Sequence, residues 1–180
     1  MRRVAVLGGS FNPPHAGHIA AAKAVLNARL ADEVWVMPCW RQAGKKLAPF
    51  RARMGMVREV CRGLRGIRAS DFEARHNRTG KTIETVRALK RVYPNILFSW
   101  IIGSDLLRSL DSWDEASALK KAVDFIVVLR EKGRMGKLPG NFRVLRAKTP
   151  NISSTEIRKA LASGVSARKA ACRASRVRAR

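Results

Sequence analysis

"GGSFNPPHAGH", residues 8–18, comes after the apolar run "RRVAVLG" and leads into the alanine-rich segment "GHIAAAKAVLNARL". Two glycines stop a β-branched run, two prolines stiffen the next turn, and His15 and His18 stand three residues apart. A strand, a glycine turn and a helix in that order open an α/β unit. At spacing i, i+3 both imidazoles share one face of the helix's first turn. Gly8 and Gly9 are expected to let the backbone come close to a ligand and present its N–H groups to an anion. The helix start adds partial positive charge on the same side. The stretch therefore suits a phosphate whose charge grows during a reaction. One histidine beside a loop would be read as a plain polar residue. A glycine pair, a double proline and HxGH together at a strand end favour the phosphate site.

The same alternation runs down the chain. "DEVWVMP", "GIRASDF", "ILFSWIIG", "DFIVVLRE" and the edge-like "NFRVLRA" read as strands. Between them "RARMGMVREVCRGL", "KTIETVRALKRVY" and "DEASALKKA" read as helices, and "STEIRKALASG" as a last helix closed by Gly164. In the first of these helices Met54, Val57, Val60, Cys61 and Leu64 form the apolar stripe. Strands alternating with helices predict an α/β, Rossmann-like fold, a mostly parallel sheet with helices on both faces. No internal repeat is present. The expected organisation is one domain over residues 1–164 and a basic tail over 165–180, poorly ordered or loosely helical. That tail contains "SARKAACRASRVRAR", and no acidic residue comes after Glu156.

Apolar residues make up 46% of the chain, enough for a core, yet no run approaches the roughly 20 apolar residues of a membrane span. "MRRVAVLGG" breaks at glycines too early for a signal peptide. Cys39, Cys61 and Cys172 are widely spaced and form no CxxC pair, which disfavours a disulfide framework or a zinc site. A soluble, cytoplasmic protein with free thiols and no metal bound by its own side chains is expected. The net charge of +24 suggests anionic partners: nucleotides, nucleic acid, or both.

Two further constellations carry chemistry. In "NISSTEIRKAL", Ser153, Ser154 and Thr155 stand at a helix start, and Glu156 lies three positions after Ser153 as in a capping box. Arg158 and Lys159 fall on the same first turn, so hydroxyls, backbone N–H groups and a guanidinium converge on an anion. In "WIIGSD", Gly103 ends a strand where a planar base could pack, and Asp105 could accept hydrogen bonds from a ribose. Ligands of such folds bind beyond the carboxyl ends of the strands.

GGSFNPPHAGH together with ISSTEIR resembles the nucleotidyltransferase superfamily that carries (H/T)xGH and ISSTxxR motifs. Within it, "LAPFRARMGMV", "DFEARHNRTGKTIETVRALKRVYP" and "WIIGSDLLRSLDSW" are similar to nicotinate-mononucleotide adenylyltransferases, and the resemblance runs from Val4 to about Gly164. It implies transfer of AMP from ATP to nicotinate mononucleotide by direct in-line attack, releasing pyrophosphate. It implies that His15 and His18 bind the α-phosphate. Ser153, Ser154 and Arg158 would hold the β- and γ-phosphates, with Mg²⁺ sharing their charge. Gly8, Gly9, Ser10, Phe11, Gly103 and Asp105 would complete the ATP side. Thr82, Thr85 and Trp113 would line the pyridine-nucleotide side, Trp113 by stacking. The basic loop "RQAGKK" departs from the "PPHK" of relatives, and Lys45 or Lys46 would replace its phosphate contact. Ser10 and Asn12 stand where relatives more often have threonine and aspartate.

The nearest rivals are adenylyltransferases acting on nicotinamide mononucleotide or phosphopantetheine. A nucleic-acid-binding protein on the same fold is the rival of another class. The charge favours it, and the absence of interleaved basic and aromatic residues counts against it.

Overall fold

A computed structural model of the chain describes residues 1–42, 44–77, 79–130, 138–150 and 152–163. The expected tail over 165–180, Gly164 and Cys172 lie outside the described residues.

Among the described residues six strands form one sheet: β1 Arg2–Gly9, β2 Glu33–Pro38, β3 Ile67–Ala69, β4 Ile96–Gly103, β5 Asp124–Arg130 and β6 Phe142–Ala147. Their order is β3-β2-β1-β4-β5-β6, and every neighbouring pair is parallel. The sheet is thus wholly parallel where the sequence predicts a mostly parallel one. The helices are α1 Ala16–Asn27, α2 Phe50–Cys61, α3 Phe72–His76, α4 Thr82–Val92, α5 Ser104–Leu107, α6 Ala116–Ala122 and α7 Ser154–Ala162. A 3-10 turn spans Leu110–Ser112. The short α3, α5 and 3-10 turn are absent from the sequence reading. β3 stops at Ala69, before the predicted end of its run, because Asp71 and Phe72 open α3.

Alternation along the strands divides the core into two layers. Val4, Val6, Trp35, Met37, Phe98, Trp100, Ile102, Phe125 and Val127 point to one face. There they meet Phe72 of α3, Ile83, Val86 and Leu89 of α4, and Leu119 of α6. Ala5, Leu7, Val34, Val36, Ile101, Ile126 and Val128 point to the other, against Ala21, Ala22 and Val25 of α1 and Val57 and Cys61 of α2. No helix among the described residues is long and apolar enough to cross a membrane.

The glycines at the end of β1 also have a packing role that the sequence does not suggest. Gly8 lies within the strand, paired with Met37, and a Cβ there would lie 2.7 Å from Cζ2 of Trp100. A Cβ on Gly9 would touch the Phe11 ring at 3.3 Å. The missing side chains make room for two aromatic rings of the protein.

Gly8→Ala therefore forces a rigid indole to move in a packed layer, an overpacking cost of about 1–3 kcal/mol. Urea unfolding should show that loss, and Trp100→Leu should relieve part of it in the double variant. Full stability in Gly8→Ala alone would contradict this packing role.

Candidate active site

β1 and β4 are adjacent, and the chain leaves them toward opposite sides of the sheet: β2 and β3 flank one, β5 and β6 the other. That reversal opens a crevice at the strands' carboxyl ends. Gly8 and Gly9 end β1 there, and Gly103 ends β4 beside them.

The turn after β1 is held in an uncommon shape. Phe11 has φ 45°, the left-handed region that bulky residues rarely adopt, and its ring is buried. Its ring meets His18 edge-on at 4.8 Å. His15 is the N-cap residue of α1, and its ring stacks on that of His18 at 3.7 Å. The backbone N–H of His15 donates to Nδ1 of His18 at 3.1 Å. An accepting Nδ1 leaves the proton of the neutral ring on Nε2, a donor. Burial, then the neighbouring His15, pushes the His18 pKa down to about 3. His18 is therefore a neutral hydrogen-bond donor at physiological pH. The middle residue of HAGH matters sterically, since a Cβ on Gly17 would lie 3.0 Å from Nδ1 of His15.

The second motif docks on the first. Oγ of Ser154 donates to the Pro13 carbonyl at 2.8 Å, and a guanidinium N–H of Arg158 donates to the Asn12 carbonyl at 2.6 Å. Residues 141 and 146 positions apart thus meet at the histidine loop. The other guanidinium nitrogen of Arg158 donates to Oγ1 of Thr155 at 3.1 Å. Ser153 closes the capping box: its Oγ accepts the Glu156 N–H at 3.2 Å, and its own N–H donates to the Glu156 carboxylate at 2.7 Å. The hydroxyl expected on a phosphate is engaged in capping α7.

On the other side of the crevice, Thr82 is the first residue of α4 and half-buried. Lys81 is its N-cap, so Thr82 does not cap its own helix. Thr85 is fully buried. Its hydroxyl donates to the Glu73 carboxylate at 3.2 Å and accepts from the Asn77 amide at 2.8 Å. Thr85, expected to line the pyridine-nucleotide side, thus has its hydroxyl engaged within the protein. Trp113 is half-buried and packs against the core layer that α4 covers. Two ion pairs tie its loop to α4: Lys81 to Asp114 at 3.3 Å and Arg87 to Glu115 at 2.7 Å. Asp105 is exposed in α5, its carboxylate folded back over Gly103. Lys45 and Lys46 are exposed on the loop between β2 and α2. Ser10 bridges β1 and Phe11.

Sequence reading misses Arg53 and Glu73. Arg53 is 1% exposed and Glu73 5%, deep beneath the crevice. Arg53 donates to the carbonyls of Ser10 at 2.8 Å, Ala48 at 2.9 Å and Trp40 at 3.3 Å. Glu73 accepts the Trp40 N–H at 2.8 Å. Burial pushes its carboxyl up to about 7, against the Trp40 N–H, the Thr85 hydroxyl and the Arg53 charge. The signal that could have found Arg53 is its position, four residues before Val57 on the apolar stripe of α2.

Fold and crevice together define a nucleotide-handling α/β protein whose site lies at the topological switch point. The chain belongs to the cytidylyltransferase-like family, whose family model matches residues 6–160, and within it to the nicotinate-nucleotide adenylyltransferases. A "Probable nicotinate-nucleotide adenylyltransferase" of Myxococcus xanthus is 37% identical over 164 residues, covering 90% of this chain and 83% of that protein. One of the same name from Anaeromyxobacter dehalogenans is 38% identical, covering 91% and 86%. The solved Plasmodium falciparum nicotinic acid mononucleotide adenylyltransferase, complexed with NaAD, superposes with TM-score 0.79 at 25% identity, covering 92% of this chain and 89% of that one. A second structure of that enzyme, complexed with APC, gives TM-score 0.74 over 88% and 83%.

The two perturbed groups act on stability with opposite signs. His18 is held below its unfolded value, so between about pH 3 and 6.5 the unfolded chain takes up a proton the native one refuses. Stability from this group rises with pH across that window. Glu73 is held above its unfolded value, so stability from it falls as pH rises from about 4.5 to 7. Each slope is at most about 1.4 kcal/mol per pH unit. Urea unfolding should show Glu73→Gln gaining on the wild type from pH 4.5 to 7 and holding level above. The advantage of His18→Ala should shrink from pH 3 to 6.5. Curves parallel to the wild type would refute both assignments.

Proposed function

We propose that this chain transfers AMP from ATP to nicotinate mononucleotide, giving deamido-NAD and pyrophosphate. The observation that carries the reading is the docking of Ser154 and Arg158 onto the carbonyls of Pro13 and Asn12. It sets the HAGH helix start and the SSTEIR helix start side by side at the switch point, a place for one polyphosphate. The relatives' names supply the mononucleotide.

The chemistry needs positioning and charge stabilisation more than an acid or a base. A phosphate oxygen of the mononucleotide, already ionised near neutral pH, attacks the α-phosphorus of ATP. The bond to the bridging oxygen breaks, and pyrophosphate leaves with that electron pair. Nε2–H of His18, with His15 stacked behind it, donates to the α-phosphate as charge gathers there. Arg158 leaves the Asn12 carbonyl for the β- and γ-phosphates, and Ser153 and Ser154 flank them. Gly103 and Asp105 receive the adenosine. Gly8, Gly9, Ser10 and Phe11 shape the turn beneath the α-phosphate. Thr82, Trp113 and Lys46 face the mononucleotide, with Thr85 behind Thr82.

Among the described residues no three His, Cys, Asp or Glu side chains gather to hold a metal ion. Mg²⁺ in this reading arrives on ATP, as part of the substrate. Free thiols and nucleotide substrates fit a cytoplasmic setting. The +24 charge adds a general attraction for anions, nucleic acid included.

His18→Ala should lower kcat by about 10²–10³-fold, the usual loss for one donor to developing charge, while ATP affinity moves only a few-fold. Pyrophosphate release at saturating substrates measures it. A variant keeping half the rate would remove His18 from the chemistry.

The start of α4 favours an anion over a neutral group by roughly 0.3–2 kcal/mol, and hydrogen bonds to a carboxylate add to this. Pyrophosphate release should therefore show a higher kcat/KM for nicotinate mononucleotide than for nicotinamide mononucleotide, with phosphopantetheine inert. Thr82→Val should narrow the gap. Equal values for the first two, or a preference for the amide, would overturn the substrate reading.

A further inference from the structure

Four of the buried polar side chains form one connected path beneath the crevice: Arg53, Glu73, Asn77 and Thr85, each at most 5% exposed. Its two charged members meet through a single residue. Trp40 offers its carbonyl to Arg53 at 3.3 Å and its N–H to Glu73 at 2.8 Å.

From Arg53 the path runs to the ATP side. Its guanidinium holds the Ser10 carbonyl at 2.8 Å, the peptide that leads into Phe11 at φ 45°. The ring of Phe11 in turn abuts His18. From Glu73 the path runs to the other side. It takes the Thr85 hydroxyl at 3.2 Å, Thr85 takes the Asn77 amide at 2.8 Å, and that amide also donates to the Lys81 carbonyl at 2.8 Å. Oδ1 of Asn77 accepts the Thr79 N–H at 2.9 Å, which shapes the turn before α4. Buried charges are costly, and breaking one partner of such a pair leaves the other unsatisfied. A network of this kind has two consequences for a loop: it fixes backbone groups that no secondary structure pairs, and it makes their positions depend on one another.

We propose that Arg53 and Glu73, joined through the backbone of Trp40, are positioning residues that set the Ser10–His18 turn against the start of α4. They touch no substrate. They fix the distance between the group that attacks and the phosphorus attacked, which the two loops hold separately. This rests on the functional reading above only for which substrate lies on which side.

The test uses Arg53→Lys, Glu73→Gln and the double variant of the full chain, with two readouts. In Arg53→Lys the new ammonium keeps the charge and loses the fork that reaches three carbonyls. In Glu73→Gln the new amide keeps the shape and loses the charge. A misplacement of about 1 Å costs on the order of 10²-fold in rate. Each single variant should therefore lose kcat on that order while still unfolding in one cooperative urea transition, so that the loss is read on a folded chain. The double variant should lose no more than the worse single, because one unit has been disabled twice. Amide hydrogen exchange gives the second readout. Glu73→Gln should speed exchange at His15 and His18 as well as at Trp40, and Arg53→Lys should speed it at Thr79 and Lys81.

Kinetic losses that multiply, kinetic constants left unchanged in a folded variant, or exchange that rises only beside the substituted residue would each overturn the proposal. If Arg53→Lys fails to fold, exchange at His15 and His18 in Glu73→Gln decides alone. A wild-type chain that releases no pyrophosphate with nicotinate mononucleotide would refute the functional reading instead, and the exchange data would still judge the positioning.

Discussion

Val6 of β1 lies opposite Trp35 of β2 on one side and Trp100 of β4 on the other. That central pairing, with both neighbours parallel to it, governs everything built at the top of the sheet. A parallel neighbour can be reached only by a crossover, and right-handed crossovers that run in opposite directions along the sheet, β1 to β2 to β3 and then β3 to β4 to β5, lay their helices on opposite faces. α1 and α2 cover one layer, and α3, α4 and α6 the other. Loops that leave in opposite directions cannot close over the end of β1. The crevice is thus a consequence of strand order, and the indole of Trp100 packs against Gly8 in the core layer at the end of β1.

Much of this is legible in the sequence, because a strand buried on both faces must read as an unbroken apolar run between breakers. "RRVAVLG" and "ILFSWIIG" are of that kind; the structure ends the second at Gly103 as read and carries the first one residue further, to Gly9. HxGH and SSTEIR are legible as helix starts for a local reason: capping chemistry lies within about four residues. What brings the two together is not legible. Ser154 reaches Pro13 across 141 positions, and no spacing in the sequence encodes that contact. The packing of Gly8 escapes a local reading for the same reason, since its partner is a ring on another strand. α3, with five residues, is too short to show a helical period. Arg53 and Glu73 are hidden by their type. Lys, Arg, Asp and Glu are almost never fully buried unless paired, so charged letters in a basic helix read as surface.

The charges of this molecule divide into two kinds with different work. Arg3–Asp32, Arg62–Glu59 and Arg87–Glu115 are exposed pairs, the sort that adds little to stability. Arg87–Glu115 matters for where it lies, at the loop that carries Trp113. Arg53 and Glu73 are different. Well-packed apolar residues in place of buried charges stabilise at least as well in many proteins. What apolar side chains could not do is hold the Ser10, Ala48 and Trp40 carbonyls, the Trp40 N–H and the Thr85 hydroxyl at fixed angles in a region of irregular chain. The network is best understood as setting geometry rather than as adding stability.

A chain with a net charge of +24 has cations to spare, yet the proposed reaction assigns to the reacting phosphate a histidine that burial keeps neutral. The physics of differential binding explains the choice. The total charge of the reacting groups does not change as the α-phosphorus passes from one oxygen to another; only its distribution does. A long-range field acts nearly equally on the ground state and the transition state, so it raises affinity without lowering the barrier between them. A short hydrogen bond acts over a few ångströms and strengthens where charge accumulates. The basic surface can gather anions from solution, and it cannot distinguish one moment of the reaction from another. In the proposed mechanism that discrimination falls to Nε2–H of His18, whose direction is fixed by the His15 N–H on Nδ1 and the Phe11 ring at its edge.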